Sequence, residues 1–488
     1  MKLNDTSIIS DEMALNYHLM HPGGDSAPGD PNAAFCLDGT YHLHYILRHP
    51  WRGQRSYSFV HVTSTDMLHW TWQTTKLQPS FTGHGMFSGT GFITKEGKPA
   101  AIYCATATDP RASYIAVAKD NDLSSWEKPY AVRPEGGPGG KDITLGGDPD
   151  CFLVGDTYYA YSAAEDVRLC KSDDLLNWTY VGGLLQHDMP DVAVGEDVSC
   201  ANMYRFGDKW MLLCISHSIG CRYYLGDWDS EAEQFVPESH GRMNWRRSGQ
   251  SLFEPGYRDF FAPESVLTPD GRRVMWAWLA TLGDIREKTV QSLPRELSLG
   301  TDGGLRIQPL RELESLRYEA FTVDNLVVEP GETGLPHFQR IATDRGDSFE
   351  ILATVDRANA ERKRFGFQLY ADEQGGGCPV LIRPETGTLC VGDTEAPFAV
   401  ADLPEGEDVE LRVFVDKYLI EVFVNGRQAA VGTHAGYQEG GRQIKAYTYA
   451  RRGADPIKFR RIEIWKLRPT NQGFLEARES RIWAPDID

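Results

Sequence analysis

The sequence predicts an all-β protein, a five-bladed β-propeller followed by a β-sandwich. Hairpins of one type recur through roughly the first 300 residues, and a short Asp-to-Trp turn repeats between them. After that, short alternating strands take over with almost no helical periodicity. At 488 residues the chain exceeds the size at which a single hydrophobic core keeps growing, so two domains are expected, over residues 1–312 and 313–488.

Asp66-Met67-Leu68-His69-Trp70 recurs as Asp122-Leu123-Ser124-Ser125-Trp126 and as Asp174-Leu175-Leu176-Asn177-Trp178, with Gly226-Asp227-Trp228 as a weaker fourth copy. Between the copies stand the hairpins, each a polar opening, an apolar strand, a tight turn and a second strand rich in aromatic or β-branched residues. The first runs from Asp30-Pro31-Asn32 over Asp38-Gly39, and the second from Ser88-Gly89-Thr90 over Glu96-Gly97. The third opens at Asp148-Pro149-Asp150, the fourth at Ala201-Asn202-Met203 and the fifth at Ala262-Pro263-Glu264. In a propeller the first strand of each blade lines the central channel. Polar residues far apart in sequence therefore converge on one pocket.

Leu305 to Leu316 reads as a connecting strand and turn. Strands follow at Phe349–Ala353, Phe365–Tyr370, Val409–Val413 and Ile420–Val424, the last turning at Asn425-Gly426, and Ile462–Trp465 closes the series. Edge strands of this sandwich could join copies of the chain into a homo-oligomer.

The net charge of −19 argues against nucleic acid or an anionic membrane as partner, since both need a basic face. It suits a neutral small molecule such as a carbohydrate. No run approaches the ~18 apolar residues of a membrane span, and no apolar stretch of signal-peptide length follows Lys2. The nine cysteines are scattered through strand-like runs, as expected of reduced thiols in a cytoplasmic protein. His217 and Cys221 are four apart but lack a second ligand pair, so neither a metal nor another cofactor is expected.

Three acids stand at hairpin openings, Asp30, Asp148 and Glu264, and Glu196-Asp197 precedes the fourth hairpin. Glycoside hydrolysis uses two carboxyl groups flanking the scissile bond, one on the anomeric carbon and one on the leaving oxygen. Here the sequence resembles glycoside hydrolase family 32, which contains invertases, inulinases and levanases, from about Tyr17 to Leu467. Gly29-Asp30-Pro31-Asn32 is similar to the family's Asn-Asp-Pro-Asn motif, which implies that Asp30 is the nucleophile. Gly147-Asp148-Pro149 is similar to Arg-Asp-Pro, which implies that Asp148 holds sugar hydroxyls and steadies the transition state. Phe87-Ser88-Gly89-Thr90, Asp259-Phe260-Phe261-Ala262-Pro263-Glu264, Leu293-Pro294-Arg295-Glu296-Leu297 and Glu421-Val422-Phe423-Val424-Asn425 resemble further family segments.

The departures fall where the sugar would bind. Position 147 is glycine instead of arginine, Ile46 replaces glutamine and Phe59 replaces tryptophan. Counting back from Gly207-Asp208-Lys209-Trp210 puts Ser199-Cys200 at the family's Glu-Cys acid/base motif. Glu196, with Asp197 second, is the nearest replacement for the missing acid. The resemblance thus implies catalysis by Asp30, Asp148 and Glu196, with Asn32, Phe59, Phe87, Ser88, Asp197 and Glu264 lining the sugar site and Trp51 and Phe260 at its rim. The expected activity is retaining hydrolysis of fructofuranosides. The altered residues leave open an arabinofuranoside or unusual fructoside, and a binding propeller without catalysis.

Overall fold

The computed structural model describes residues 14–486 apart from 24–28, 109–110, 142, 164–166, 195, 244–245, 248–259, 280–289, 332–335, 435, 439–440 and 451. Five sheets follow one another along the chain, each wound outward from an inner strand through antiparallel pairs, the third gaining Pro134–Glu135 as a parallel outer strand. The inner strands are Pro31–Leu37, Gly85–Ile93, Pro149–Val154, Ser199–Phe206 and Phe261–Leu267. Each packs against the next, and the fifth packs back against the first, so the ring of blades closes.

The Asp-to-Trp repeat marks the turn that ends the third strand of a blade. Asp66 Oδ1 accepts the Leu68 and His69 amides, and Asp174 Oδ1 accepts the Leu176 and Asn177 amides. Such an aspartate replaces the backbone partners a tight turn lacks. The residue after it is left-handed in all three copies, at Met67, Leu123 and Leu175. Trp126 and Trp178 close the turn by donating their indole N–H to the carbonyls of Leu123 and Leu175. The expected fourth copy differs. Gly226-Asp227-Trp228 lies within the strand Gly220–Asp229, and the turn cap is Asp229, which accepts the Glu231 and Ala232 amides.

Leu305–Pro309, expected as a connector, is the outermost strand of blade 5. From Arg317 a six-stranded and a seven-stranded sheet form the sandwich. Asn425 and Gly426 both take positive φ, as a two-residue hairpin turn requires. The segment Arg246–Arg247, from the propeller part of the sequence, pairs with Thr394–Pro397 at the edge of the seven-stranded sheet. Among the described residues no helix is long and apolar enough to cross a membrane.

Two of the family-like segments meet at the seam between the domains. Arg295 donates to Glu421 Oε2 at 2.7 Å and the Leu293 amide to Glu421 Oε1 at 2.7 Å, both side chains being fully buried. Asp416 receives the amides of Asn16, Tyr17 and His18 and the His18 ring, tying the N-terminal segment to the sandwich. Burial lowers the His18 pKa, but Asp416 and Glu421 outweigh it and lift it to about 9. Elsewhere burial is the main force pulling histidines down, His21 to about 3 with help from Arg481, His44 to about 3 against a bond to the Ala33 carbonyl, and His84 to about 4.

These shifts set a pH dependence. The depressed histidines contribute stability that is full above their unfolded pKa near 6.5 and is lost as pH falls toward 4. His18 contributes with the opposite sign, fully below 6.5 and progressively less as pH rises through about 9. Scanning calorimetry is therefore expected to show the highest melting temperature near pH 6–7, falling on both sides. A profile flat from pH 4 to 9 would contradict these burials.

Candidate active site

Side chains along an inner strand alternate, so every second residue faces the axis and the five strands stack such residues in layers. The top layer holds Asp30, Ser88, Asp148 and Cys200. Ser88 donates to Asp30 Oδ2 at 2.9 Å, and the Cys200 thiol donates to Asp148 Oδ2 at 3.3 Å. Burial, Asp148 and Asp30 all raise the Cys200 pKa, so it stays a thiol, and Ser88 lies within its hydrogen-bonding reach. Two hydrogen-bonded pairs, Asp30–Ser88 from blades 1 and 2 and Asp148–Cys200 from blades 3 and 4, thus stand side by side at the channel mouth.

Local irregularity aims these groups. The register of the inner strand slips by one residue at Asn32, Ser88, Cys200–Ala201 and Ala262, in four of the five blades. Cys200 and Ala262 take φ of 43° and 47°, in the left-handed region. Bulges of this kind re-aim side chains at sheet ends and are concentrated next to active sites.

The second layer is Asn32, Thr90, Asp150, Asn202 and Glu264. Asn32 accepts the Gly89 amide and donates to the Asp30 carbonyl, bracing the loop that carries Asp30. Thr90 donates to Glu264 Oε2 at 2.8 Å, and Asn202 donates to Thr90. Asp150 accepts from Tyr161 and the Met203 amide, and burial lifts its carboxyl to about 7. Beyond this layer lies an axial cavity of about 380 Å³ lined by Thr90, Asp150, Asn202, Glu264, Tyr204 and Arg273 among others. Glu264 is 1% exposed and belongs to this floor. Its oxygens accept from Thr90 and from the Ser265 amide, one layer below Asp30 and Asp148, so the expectation that it touches sugar changes to a supporting position. Phe59 is corrected in the same way. It is fully buried between blades 1 and 2, edge-on to Tyr103. Phe260 too is buried, under the Arg295 guanidinium, and Asp259 lies outside the described residues.

Gly147 has a steric reason. A Cβ there would come within 1.9 Å of the Ala163 carbonyl oxygen, so no arginine fits at this backbone position. An arginine does reach the neighbourhood from another loop. Arg111, whose carbonyl lies 3.4 Å from a Cβ built on Gly146, donates its Nε to Cys104 at 2.8 Å. With Arg55, Tyr57, Phe87, Thr106 and Thr108 it lines an open pocket of about 400 Å³ beside Ser88. Phe87 packs on Tyr57 at 4.9 Å, and Arg55 lies over the same tyrosine at 5.3 Å. The Thr106 and Thr108 hydroxyls are buried and make no hydrogen bond among the described residues. Trp51 stacks with Arg52 on the hairpin above.

Glu196, expected as proton donor, is engaged elsewhere. Its carboxylate meets Arg222 Nη1 at 2.5 Å and Arg242 Nη2 at 2.9 Å, with 6% of the side chain exposed. Both carboxylate oxygens are taken up by these guanidiniums, whereas a general acid must present an oxygen to the leaving group. Asp197 accepts Ser199 Oγ at 2.7 Å, the His217 amide at 2.8 Å and His217 Nδ1 at 2.7 Å. Burial pushes the Asp197 carboxyl up, but these bonds prevail and hold it at about 2. His217 was not singled out from sequence as catalytic. Counting outward from the Gly207-Asp208 turn would have found it, because Ser199 pairs with Ile215 and His217 follows at the same end.

Residues 26–309 match the family model described as the glycosyl hydrolases family 32 N-terminal domain, and 312–466 match the family 32 C-terminal model. The chain belongs to glycosyl hydrolase family 32. It is 27% identical over 473 residues to the raffinose invertase of Escherichia coli, covering 88% of this chain and 91% of that one. The sucrose-6-phosphate hydrolase of the same organism is 24% identical with the same coverage. Among solved structures, fructan 1-exohydrolase IIa from Cichorium intybus superposes with a TM-score of 0.71 at 17% identity, covering 94% of this chain and 98% of that one. This family 32 protein is a glycoside hydrolase of the β-fructofuranosidase type.

Proposed function

We propose that the protein cleaves the anomeric C–O bond of a terminal fructofuranosyl unit with retention, through an ester on Asp30, while Asp148 binds hydroxyls and steadies the oxocarbenium-like charge. The observation that carries this reading is the meeting of the Asp30–Ser88 and Asp148–Cys200 pairs, the Cys200 thiol feeling both carboxylates. It puts two carboxylates from different blades at one mouth, braced from below by Asn32. NMR of the first-formed product anomer, with sucrose, 1-kestose and levan as substrates, tests it. Retention supports Asp30 chemistry, and inversion or no turnover on any fructoside would exclude it. Nine cysteines without a disulfide support a cytoplasmic setting.

A second reading of the leaving group is favoured by the Arg55–Arg111 pocket. Both side chains are exposed, and neither makes an ion pair among the described residues of a strongly acidic chain. Two uncompensated guanidiniums beside unpaired hydroxyls suit an oxyanion on the departing sugar. One relative is named a sucrose-6-phosphate hydrolase. Sucrose 6-phosphate is expected to be turned over with kcat/KM roughly 10–100-fold above sucrose, and Arg55→Ala with Arg111→Ala to erase that preference through KM. Equal kcat/KM for the two sugars in the unaltered enzyme would leave neutral sugars as the substrates.

A further inference from the structure

A retaining mechanism needs a proton donor as well as a nucleophile. Ser199 stands where relatives carry the acid/base glutamate, and a hydroxyl cannot serve. Its Oγ nevertheless donates to Asp197 Oδ2 at 2.7 Å. A carboxylate therefore lies one hydrogen bond beyond Ser199, within the reach that a glutamate side chain would have from the same Cβ. That carboxylate is held as an anion, and the group it holds is an imidazole.

His217 begins the turn after the strand Lys209–Ser216, antiparallel to the strand that opens at Ser199. Its backbone amide and Nδ1 both bond the Asp197 carboxylate, at 2.8 and 2.7 Å, and its ring stands edge-on to Phe261 at 5.8 Å. The ring orientation is thus fixed from three sides while half of the side chain stays exposed, 51% against 18% for Asp197. Phe261 opens the inner strand of blade 5, and Cys200, next to Ser199, bonds Asp148. The imidazole sits at the same rim as the top layer of the channel.

We infer that His217, oriented by Asp197, is the general acid/base of this enzyme in place of the missing glutamate. The inference rests on the retaining mechanism proposed above. In the first step Asp30 attacks the anomeric carbon, and the bond to the leaving sugar breaks with its electron pair on oxygen. That oxygen takes the proton from Nε2 of the imidazolium, leaving a neutral ring. In the second step Nε2 takes a proton from water as the water oxygen attacks the anomeric carbon and the electron pair of the ester bond returns to Asp30. The Asp197 carboxylate keeps Nδ1–H in place and stabilises the imidazolium, as a carboxylate does in other Asp–His pairs. Among the described residues, titratable neighbours on the surrounding elements are Glu196 with Arg222 and Arg242, Cys214 within its own sheet, Cys200 and Asp148 across the strand mouth, and Glu264 on the strand of Phe261.

A leaving-group test separates a proton donor from a structural residue. A sugar alcohol needs protonation to depart, whereas 4-nitrophenolate does not. In His217→Gln, kcat/KM on sucrose is expected to fall roughly 10²–10⁴-fold while that on 4-nitrophenyl fructofuranoside falls less than about tenfold. Azide should restore turnover of the aryl substrate and yield a fructosyl azide, because azide attacks without a base. The alkaline limb of the kcat profile, set by loss of the imidazolium proton, should disappear. Equal losses on both substrates, undiminished sucrose turnover, or the selective pattern in Glu196→Gln instead would overturn the assignment. If the unaltered enzyme itself turned over no fructoside, the retaining mechanism would fail first, and the two failures are thereby distinct.

Discussion

Asp30→Ala is expected to lower kcat on any fructoside by about 10⁴-fold or more while leaving sugar binding within about tenfold. The reason is chemical. In the proposed mechanism the side chain supplies the atom that bonds to the anomeric carbon, and the neighbouring Ser88 hydroxyl, which now donates to Asp30, cannot replace a carboxylate. Binding is expected to survive because the hydroxyl contacts proposed for Asp148 do not depend on that atom. Steady-state kinetics paired with calorimetric titration of sucrose checks both halves. Loss of binding together with turnover would mean that Asp30 holds the structure of the site and does no chemistry.

The second large effect concerns stability. Glu421→Ala removes one partner of a fully buried pair and leaves the Arg295 guanidinium uncompensated, along with the Leu293 amide. Breaking such a pair from one side costs about 3–5 kcal/mol. Burial pushes the Glu421 carboxyl up, yet Arg295 and His18 outweigh it, so the group folds in as an anion. A first thermal transition several degrees lower than that of the unaltered protein is expected by scanning calorimetry. Glu421→Ala together with Arg295→Met should recover part of the loss, since no lone charge remains. An unchanged melting temperature in the single variant would show that the seam contributes nothing.

The propeller was legible because its turns obey local rules. Asp66, Asp122 and Asp174 recur where a tight turn needs an acceptor, and the hairpins between them have one pattern. Asp30 and Asp148 were legible for the same reason, since both open inner strands. Phe59 was not. Blades are covered on both faces, so the strand Gln54–Ser64 is buried at nearly every position, and alternation cannot say which side chain faces the channel. Glu264 follows Ala262 by two residues and so drops one layer, to the floor, which a motif match alone does not reveal. The pairing of Glu196 with Arg222 and Arg242 depends on the cross-strand register that sets those two arginines opposite each other in blade 4. The Leu293–Leu297 and Glu421–Asn425 segments were recognisable separately, but only the packing of the two domains brings Arg295 against Glu421.

Whether Asp30 is the nucleophile is measured directly by rapid acid quench followed by peptide mass spectrometry. After mixing with sucrose, the peptide containing Asp30 should gain the mass of one fructosyl unit, and the same peptide from Asp30→Ala should not. A label on any other carboxylate, or sucrose turnover with no labelled peptide at all, would contradict it.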